Sequence, residues 1–313
     1  MQIINWALVA YAMTVAFSSA SAAGSDPVDA GATALIVCVD ASKFEHCDFT
    51  GGDAIQQAVD AAESGAVVHI KSGVYQPKSY RDTPLNELQI RGYTLIEDKQ
   101  LTIIGEGEVV IDGSLSAANG FVTKNSQVSF KNLNLQNFKW GIQEDDIYDG
   151  HGIFIINGES KIADVSIQKV QKMALSVHGN AKVDVTNLTI TDSHLGVWTN
   201  DDSNVSISNS EFSGSESAGL AAYQRSQVVI WQSVFQANQD DGLFASDDAR
   251  VSVTQSVVLN NKPYGLNADE NGAIEIDKSY VSGNDTDFVV DKVKRINVGA
   301  TMLNADPRPF TAL

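Results

Sequence analysis

Apolar and polar positions along this chain alternate in short bursts that return at a fixed interval. Segments beginning at Gly152, Ala174, Gly196, Gly219, Gly242 and Gly265 read GIFIIN, ALSVHG, GVWTND, GLAAYQ, GLFASD and GLNADE, spaced 22, 22, 23, 23 and 23 residues apart. The last five are each followed by a second alternating segment: VDVTNLTI, VSISNSEF, VVIWQSVF, VSVTQSVV and IEIDKSYV. Alternation with period two specifies strands with one apolar face. Thus Val205, Ile207 and Phe212 recur as Val228, Ile230 and Phe235, then Val251, Val253 and Val258, then Ile274, Ile276 and Val281. Strands this short cannot bury an apolar face alone, but identical rungs stacked into a column can. The pattern therefore predicts an all-β solenoid. Gly120 and Gly141 belong to the same series, and the interval of 11 residues to Gly152 marks Asp145 to Gly150 as an irregular coil or loop.

Small polar residues repeat in the same register. Ser210, Ser233, Ser256 and Ser279 lie 23 apart, as do Asn238, Asn261 and Asn284. An asparagine column can bond amide to amide along the axis and tolerates the left-handed turn conformation. Upstream, Ile55, Ala58, Val59 and Ala62 share one helical face, with Asp53 placed to cap the helix. That helix, at Asp53 to Ala62, would plug the end of the column, because an open last rung is a sticky edge.

Three strands per coil with these ladders resemble the right-handed parallel β-helix of the pectin-lyase-like superfamily. The division expected is an N-terminal segment with the capping α-helix (23–65), the β-helix (66–290) and a C-terminal cap or tail (291–313). The resemblance implies a ligand groove over one parallel sheet, and the strands led by the Gly positions are the candidates.

Composition then narrows the function. With 21 basic and 39 acidic side chains the chain carries −18, which repels nucleic acid. Residues Asn5 to Phe17 are apolar, and Ala20-Ser21-Ala22 fits a cleavage site, so residues 1–22 read as a secretory signal peptide. No later stretch is long enough to span a bilayer. Export places Cys38 and Cys47 in an oxidising compartment, where one disulfide closing a small loop is expected.

Counting each strand from its Gly as zero, positions one and three point inward, two and four outward. Position two gives Phe154, Ser176, Trp198, Ala221, Phe244 and Asn267. Position four gives Ile156, His178, Asn200, Tyr223, Ser246 and Asp269. Aromatic rings beside hydrogen-bonding groups suit sugars, which have apolar faces and hydroxyl edges. The candidate catalytic groups are Tyr223, its phenolate stabilised by Arg225, and His178. Trp198 and Phe244 are stacking platforms, while Asn200, Arg225 and Asn267 are substrate-binding candidates. The acidic column Asp201-Asp202, Asp247-Asp248, Glu270, with Arg225 between, reads as a salt-bridged turn. Oxygen ligands at this density could also hold Ca²⁺, although no loop has calcium-binding spacing.

Motifs of three families have echoes here. The opening Asp53 to Ala62 with Val67 to Lys71 is similar to pectin methylesterases. Gly150-His151-Gly152, Asn200-Asp201-Asp202 and Asp240-Asp241-Gly242 resemble polygalacturonase elements, in a different order. Tyr264 to Asp269 and His151-Gly152 resemble alginate C5-epimerase strands, also reordered. Three functions follow from the residues: a lyase or epimerase acting on a uronate-containing polysaccharide, a glycoside hydrolase, or a non-catalytic glycan-binding or cell-envelope module.

Overall fold

The computed structural model describes residues 33–141, 147–290 and 296–303. The proposed signal peptide, 1–22, and most of the tail lie outside these residues. Parallel strands coil into a solenoid. One sheet, led by the glycines, joins eleven strands among the described residues: a parallel path of nine from Leu88–Glu97 to Thr286–Val290, with Arg81–Leu85 antiparallel and Ile147–Tyr148 parallel on its first strand. A second, longer sheet takes the other two limbs of every coil. The register is the one the repeat predicts: Val197 pairs with Leu220, Leu220 with Leu243 and Leu243 with Leu266.

The regular coils turn at three corners, and the corners carry residues in the left-handed conformation. One corner column is Asp201, Gln224, Asp247 and Glu270; a second is Asn209, Gln232, Gln255 and Lys278; a third contains Ala237 and Asn260. A single left-handed residue reverses the chain sharply enough to end one strand and start the next. Asn238, Asn261 and Asn284 were expected to adopt this conformation. The structure gives it to the preceding residue, as at Ala237 and Asn260, and turns the asparagine side chains inward. There they form the expected amide ladder. Asn238 Nδ2 donates to Asn261 Oδ1 at 2.8 Å, and Asn261 Nδ2 to Asn284 Oδ1 at 3.0 Å. The serines make a parallel ladder: the Ser210 and Ser233 amides donate to Ser233 and Ser256 Oγ at 3.2 and 3.1 Å. Both ladders satisfy buried polar groups that would otherwise destabilise the interior.

The apolar positions form one continuous core, within which Phe212 and Phe235 stack at 4.6 Å. An α-helix, Ala54–Ala61, presents Ile55, Ala58 and Val59 to that core. Asp53 precedes it, but its carboxylate makes no cap bond. It accepts instead from the Lys78 and Ser79 amides at 2.7 and 3.1 Å, tying the helix start to a distant turn. The parallel ladder also extends past the expected limits of 66 and 290. Ala34–Cys38 pairs with Ala66–Tyr75, and Ile296–Val298 pairs with Ala273–Asp277. Cys38 and Cys47 are joined by a disulfide. Within the interval expected to be irregular, Ile147–Tyr148 forms a short strand on Gln89–Ile90.

Candidate functional site

The glycine-led sheet brings the outward columns together as aligned rows. Phe154 pairs with Ser176, Ser176 with Trp198, Trp198 with Ala221, Ala221 with Phe244 and Phe244 with Asn267. Trp198, Tyr223 and Phe244 then pack on Leu195, Ala218 and Ala221 in a cluster separate from the main core. Leu195 and Ala218 stand immediately before their glycines, at a position simple alternation turns inward. The glycines change the parity. A Cβ at Gly219 would lie 2.8 Å from Asn238 Nδ2 and 2.8 Å from the Gly242 carbonyl oxygen, so Gly219 itself faces the interior. Glycine and its successor both face in, and the residue before faces out.

That shift exposes a group the alternation argument missed. Asp241 precedes Gly242, and only 4% of it is accessible. Its Oδ2 accepts from Asn267 Nδ2 at 3.1 Å, whereas Oδ1 has no hydrogen-bond partner among the described residues. Burial, against the Asn267 bond and aided by Asp240, pushes its pKa up to about 7. The signal was present in the sequence as one carboxylate in the column His151, Met173, Leu195, Ala218, Asp241, Tyr264.

Tyr223 shares the outer face with this carboxyl, its ring 6.2 Å from Trp198 and 5.5 Å from Phe244. Burial raises its pKa, and Asp241, Asp247 and Asp240 raise it further. The expected support from Arg225 is absent, since Arg225 forks onto Asp202 at 2.6 and 2.7 Å. Tyr223 therefore holds its proton, without the phenolate stabilisation expected from Arg225. Arg225 is tied into the corner, as the salt-bridged reading of that column expected. Asp201 and Asp247 serve the corner too, accepting the Gly179 and Gln224 amides at 2.7 and 2.8 Å.

His178 is enclosed rather than open to solvent. It is 5% exposed, stacked on Phe154 at 4.6 Å and met edge-on by Trp198 at 5.0 Å. Burial lowers its pKa to about 4 against the opposing pull of Asp201. Tyr148 adds cover, with its ring 4.8 Å from His151, 5.7 Å from Phe154 and 6.1 Å from Trp198. His178 thus belongs to a buried aromatic block at the N-terminal end of the face. His151 lies in the same block, fully buried and bonded to Ser176 Oγ at 2.7 Å. Asn200 stands half-buried at the end of its strand, in the row of Tyr223. Among the described residues no three His, Cys, Asp or Glu side chains converge to hold a metal ion. No helix there is long and apolar enough to cross a membrane.

A family model described as right handed beta helix region matches residues 119–285, more than half of the chain. The chain belongs to this right-handed β-helix family. No curated protein matches it by sequence. Among solved structures, pectate lyase Pel9A is similar to this β-helix with TM-score 0.65 and 13% identity, covering 90% of this chain and 80% of the lyase. The mannuronan C-5 epimerase AlgE6 A-module of Azotobacter vinelandii gives 0.55 and 16%, covering 80% and 70%. Polygalacturonase from Erwinia carotovora ssp. carotovora gives 0.54 and 10%, covering 88% and 94%. At these identities the likeness is one of fold, and the right-handed β-helix by itself leaves the reaction open.

Proposed function

We propose that this β-helix protein is exported and acts on a polysaccharide laid along the outer face of its glycine-led sheet. The reading rests on one observation. Trp198, Phe244 and Asn267 lie in one register row of an outer face that also carries Tyr223 and a buried carboxyl, Asp241, whose proton is lost only near neutral pH. The aromatic rings offer stacking surfaces, and the carboxyl and phenol offer a proton acceptor and a proton donor.

The reaction these two groups fit is proton transfer at a sugar carbon, as a lyase or epimerase performs on a uronate. In this reading Asp241 takes the C5 proton. Tyr223 returns a proton, to the opposite ring face in an epimerase or to the departing glycosidic oxygen in a lyase. The uronate carboxylate must be neutralised for the carbanion to form. Asn200 and Asn267 supply hydrogen bonds for this, and Ca²⁺ held partly by substrate oxygens would supply charge.

A paired-carboxylate hydrolase fits less well. Asp269, the other carboxylate of the outward columns, is exposed, whereas the proton donor of a carboxylate pair needs a sheltered setting. Binding without turnover is the second reading, favoured by the engagement of Arg225 with Asp202. The supporting architecture belongs to the same proposal: the helix Ala54–Ala61 closes one end of the column, and the Cys38–Cys47 disulfide suits an extracellular or periplasmic setting.

The test incubates the purified protein with polyuronates and neutral polysaccharides, with and without calcium. New ultraviolet absorbance from an unsaturated sugar identifies a lyase, and proton exchange at C5 identifies an epimerase. Either should vanish in Asp241→Asn. New reducing ends without absorbance would establish the hydrolase instead, and binding alone the second reading.

A further inference from the structure

The longer sheet carries a feature unrelated to the glycine-led face. An open groove of about 570 Å3 crosses its outer surface, within the range of ligand sites. It spans six successive rungs and so runs along the solenoid axis for five rung spacings of about 4.8 Å, roughly 24 Å. One wall is an in-register row: Gln100, Gln127, Glu159, Lys182, Asn204, Gln227. A second row, two residues further along each strand, runs from Thr102 to Val229. Every rung thus offers at least one amide, hydroxyl or charged group at the strand spacing, and amides and hydroxyls can both donate and accept.

Two properties separate this groove from an ordinary solvated sheet. The first is charge. Lys161 and Lys182 balance Glu159 and Asp184, and the other lining residues are uncharged, in a chain that carries −18. The second is its C-terminal end. Val229 lines the groove there and is 56% exposed, and Trp231, two positions along the same strand, is 44% exposed. Their neighbours in the same rows are small and polar: Ser206 and Ser252 beside Val229, Ser208 and Thr254 beside Trp231. The indole is held in place by donating to Gln255 Oε1 at 3.0 Å. Exposed apolar groups at two adjoining outward positions contribute nothing to the core, whereas an oriented indole beside a polar trough suits the apolar face of a sugar ring.

We propose that this groove is a second carbohydrate site, which holds an uncharged, extended polysaccharide along the solenoid axis without reacting with it. Trp231 stacks on one sugar ring, and the polar rows engage hydroxyls of the residues that follow. An uncharged chain is the occupant because the groove provides no net positive charge to offset repulsion of a polyanion by the rest of the molecule. A peptide is disfavoured because the groove crosses the sheet face, where backbone groups are already paired, and offers no free edge. The charged side chains lining it are solvated, so none has the desolvated setting of an acid–base catalyst.

Native affinity electrophoresis tests this with gels containing hydroxyethylcellulose, xylan or glucomannan, and polygalacturonate as the charged control. The purified protein should be retarded by at least one neutral polymer. Trp231→Ala should weaken that binding about tenfold, a loss within reach of one aromatic contact, and Trp231→Phe should restore most of it. Ser206→Arg, which fills the trough from an exposed position, should abolish it. Thermal melts matching the parent protein show that these surface changes leave the fold intact. Trp198→Ala, on the other sheet, should leave neutral-polymer binding unchanged. Absence of retardation on all three neutral polymers would overturn the proposal. So would retardation that survives both groove variants, or that is lost only in Trp198→Ala.

Discussion

Asp241 and His178 lie on the same sheet and titrate in opposite directions, each because burial favours its neutral form. The folded-state pKa of Asp241 is raised from 3.8 to about 7, so the native state binds the proton more tightly than the unfolded chain. Its contribution is full below the unfolded value and is lost as pH rises through about 7. The His178 pKa is lowered from 6.5 to about 4, so its neutral form contributes fully above 6.5 and loses stability as pH falls toward 4. His151 shifts in the same direction as His178. The slopes oppose each other between about pH 4 and 6.5, and each shift corresponds to a few kcal/mol at about 1.4 kcal/mol per unit. Asp241→Asn should therefore raise the melting temperature at pH 8 and leave it nearly unchanged at pH 4. His178→Leu should lessen the loss of stability below pH 6. Melting curves across this range check both; an Asp241→Asn effect that is equal at pH 4 and pH 8 would contradict the assignment. Under the proposed reaction the same substitution should also remove activity.

The ladders are the units that matter at the level of the elements. Asn261 receives the Asn238 amide N–H and side-chain NH₂ at Oδ1 and donates to the Phe235 carbonyl at 3.0 Å. Asn261→Ala would orphan these buried groups, at about 1–3 kcal/mol for each that finds no new partner. Ser233→Ala, which removes one acceptor for the Ser210 amide, should cost about 1 kcal/mol. Ser252→Ala, on the outer face of the same sheet, should cost less than about 0.5 kcal/mol. Urea unfolding of the three variants should give that order. The repeat made both ladders legible in the sequence, since a 23-residue spacing superposes each Ser and Asn on the next. Their hydrogen-bond partners were less legible. The left-handed corner falls one residue before each asparagine, as at Ala237 and Asn260, and this turns the amide into the interior.

For the whole molecule, export and the disulfide give one joint prediction. Intact-mass measurement of protein secreted by a native-like host should show cleavage after Ala22 and a mass two hydrogens below the reduced chain. Cys38 and Cys47 are nine residues apart, and closing a loop of that size stabilises by about 2–3 kcal/mol in the chain-entropy account. Reductant should therefore lower the melting temperature of the mature protein. An unprocessed N-terminus or two alkylatable thiols without reductant would contradict this account.

Sequence alone determined the repeat, the strand faces and the alignment of Trp198, Ala221, Phe244 and Asn267, because a solenoid converts a spacing of 22 or 23 residues directly into neighbours. It also located the helix face of Ile55, Ala58 and Val59. Tertiary structure decided what the aligned positions face. Alternation treats every residue as one step of a flat strand, but glycine tucks its own position inward, and that change of parity brought Asp241 to the outer face. Burial of His178 required knowing that Phe154 and Trp198 close around it and that Tyr148 arrives from outside the regular coil. The capture of Arg225 by Asp202 depended on which side chain came within 2.6 Å across the rungs. The protonation states that define the candidate site depend on burial and neighbouring charge, which arise only when separate rungs pack together.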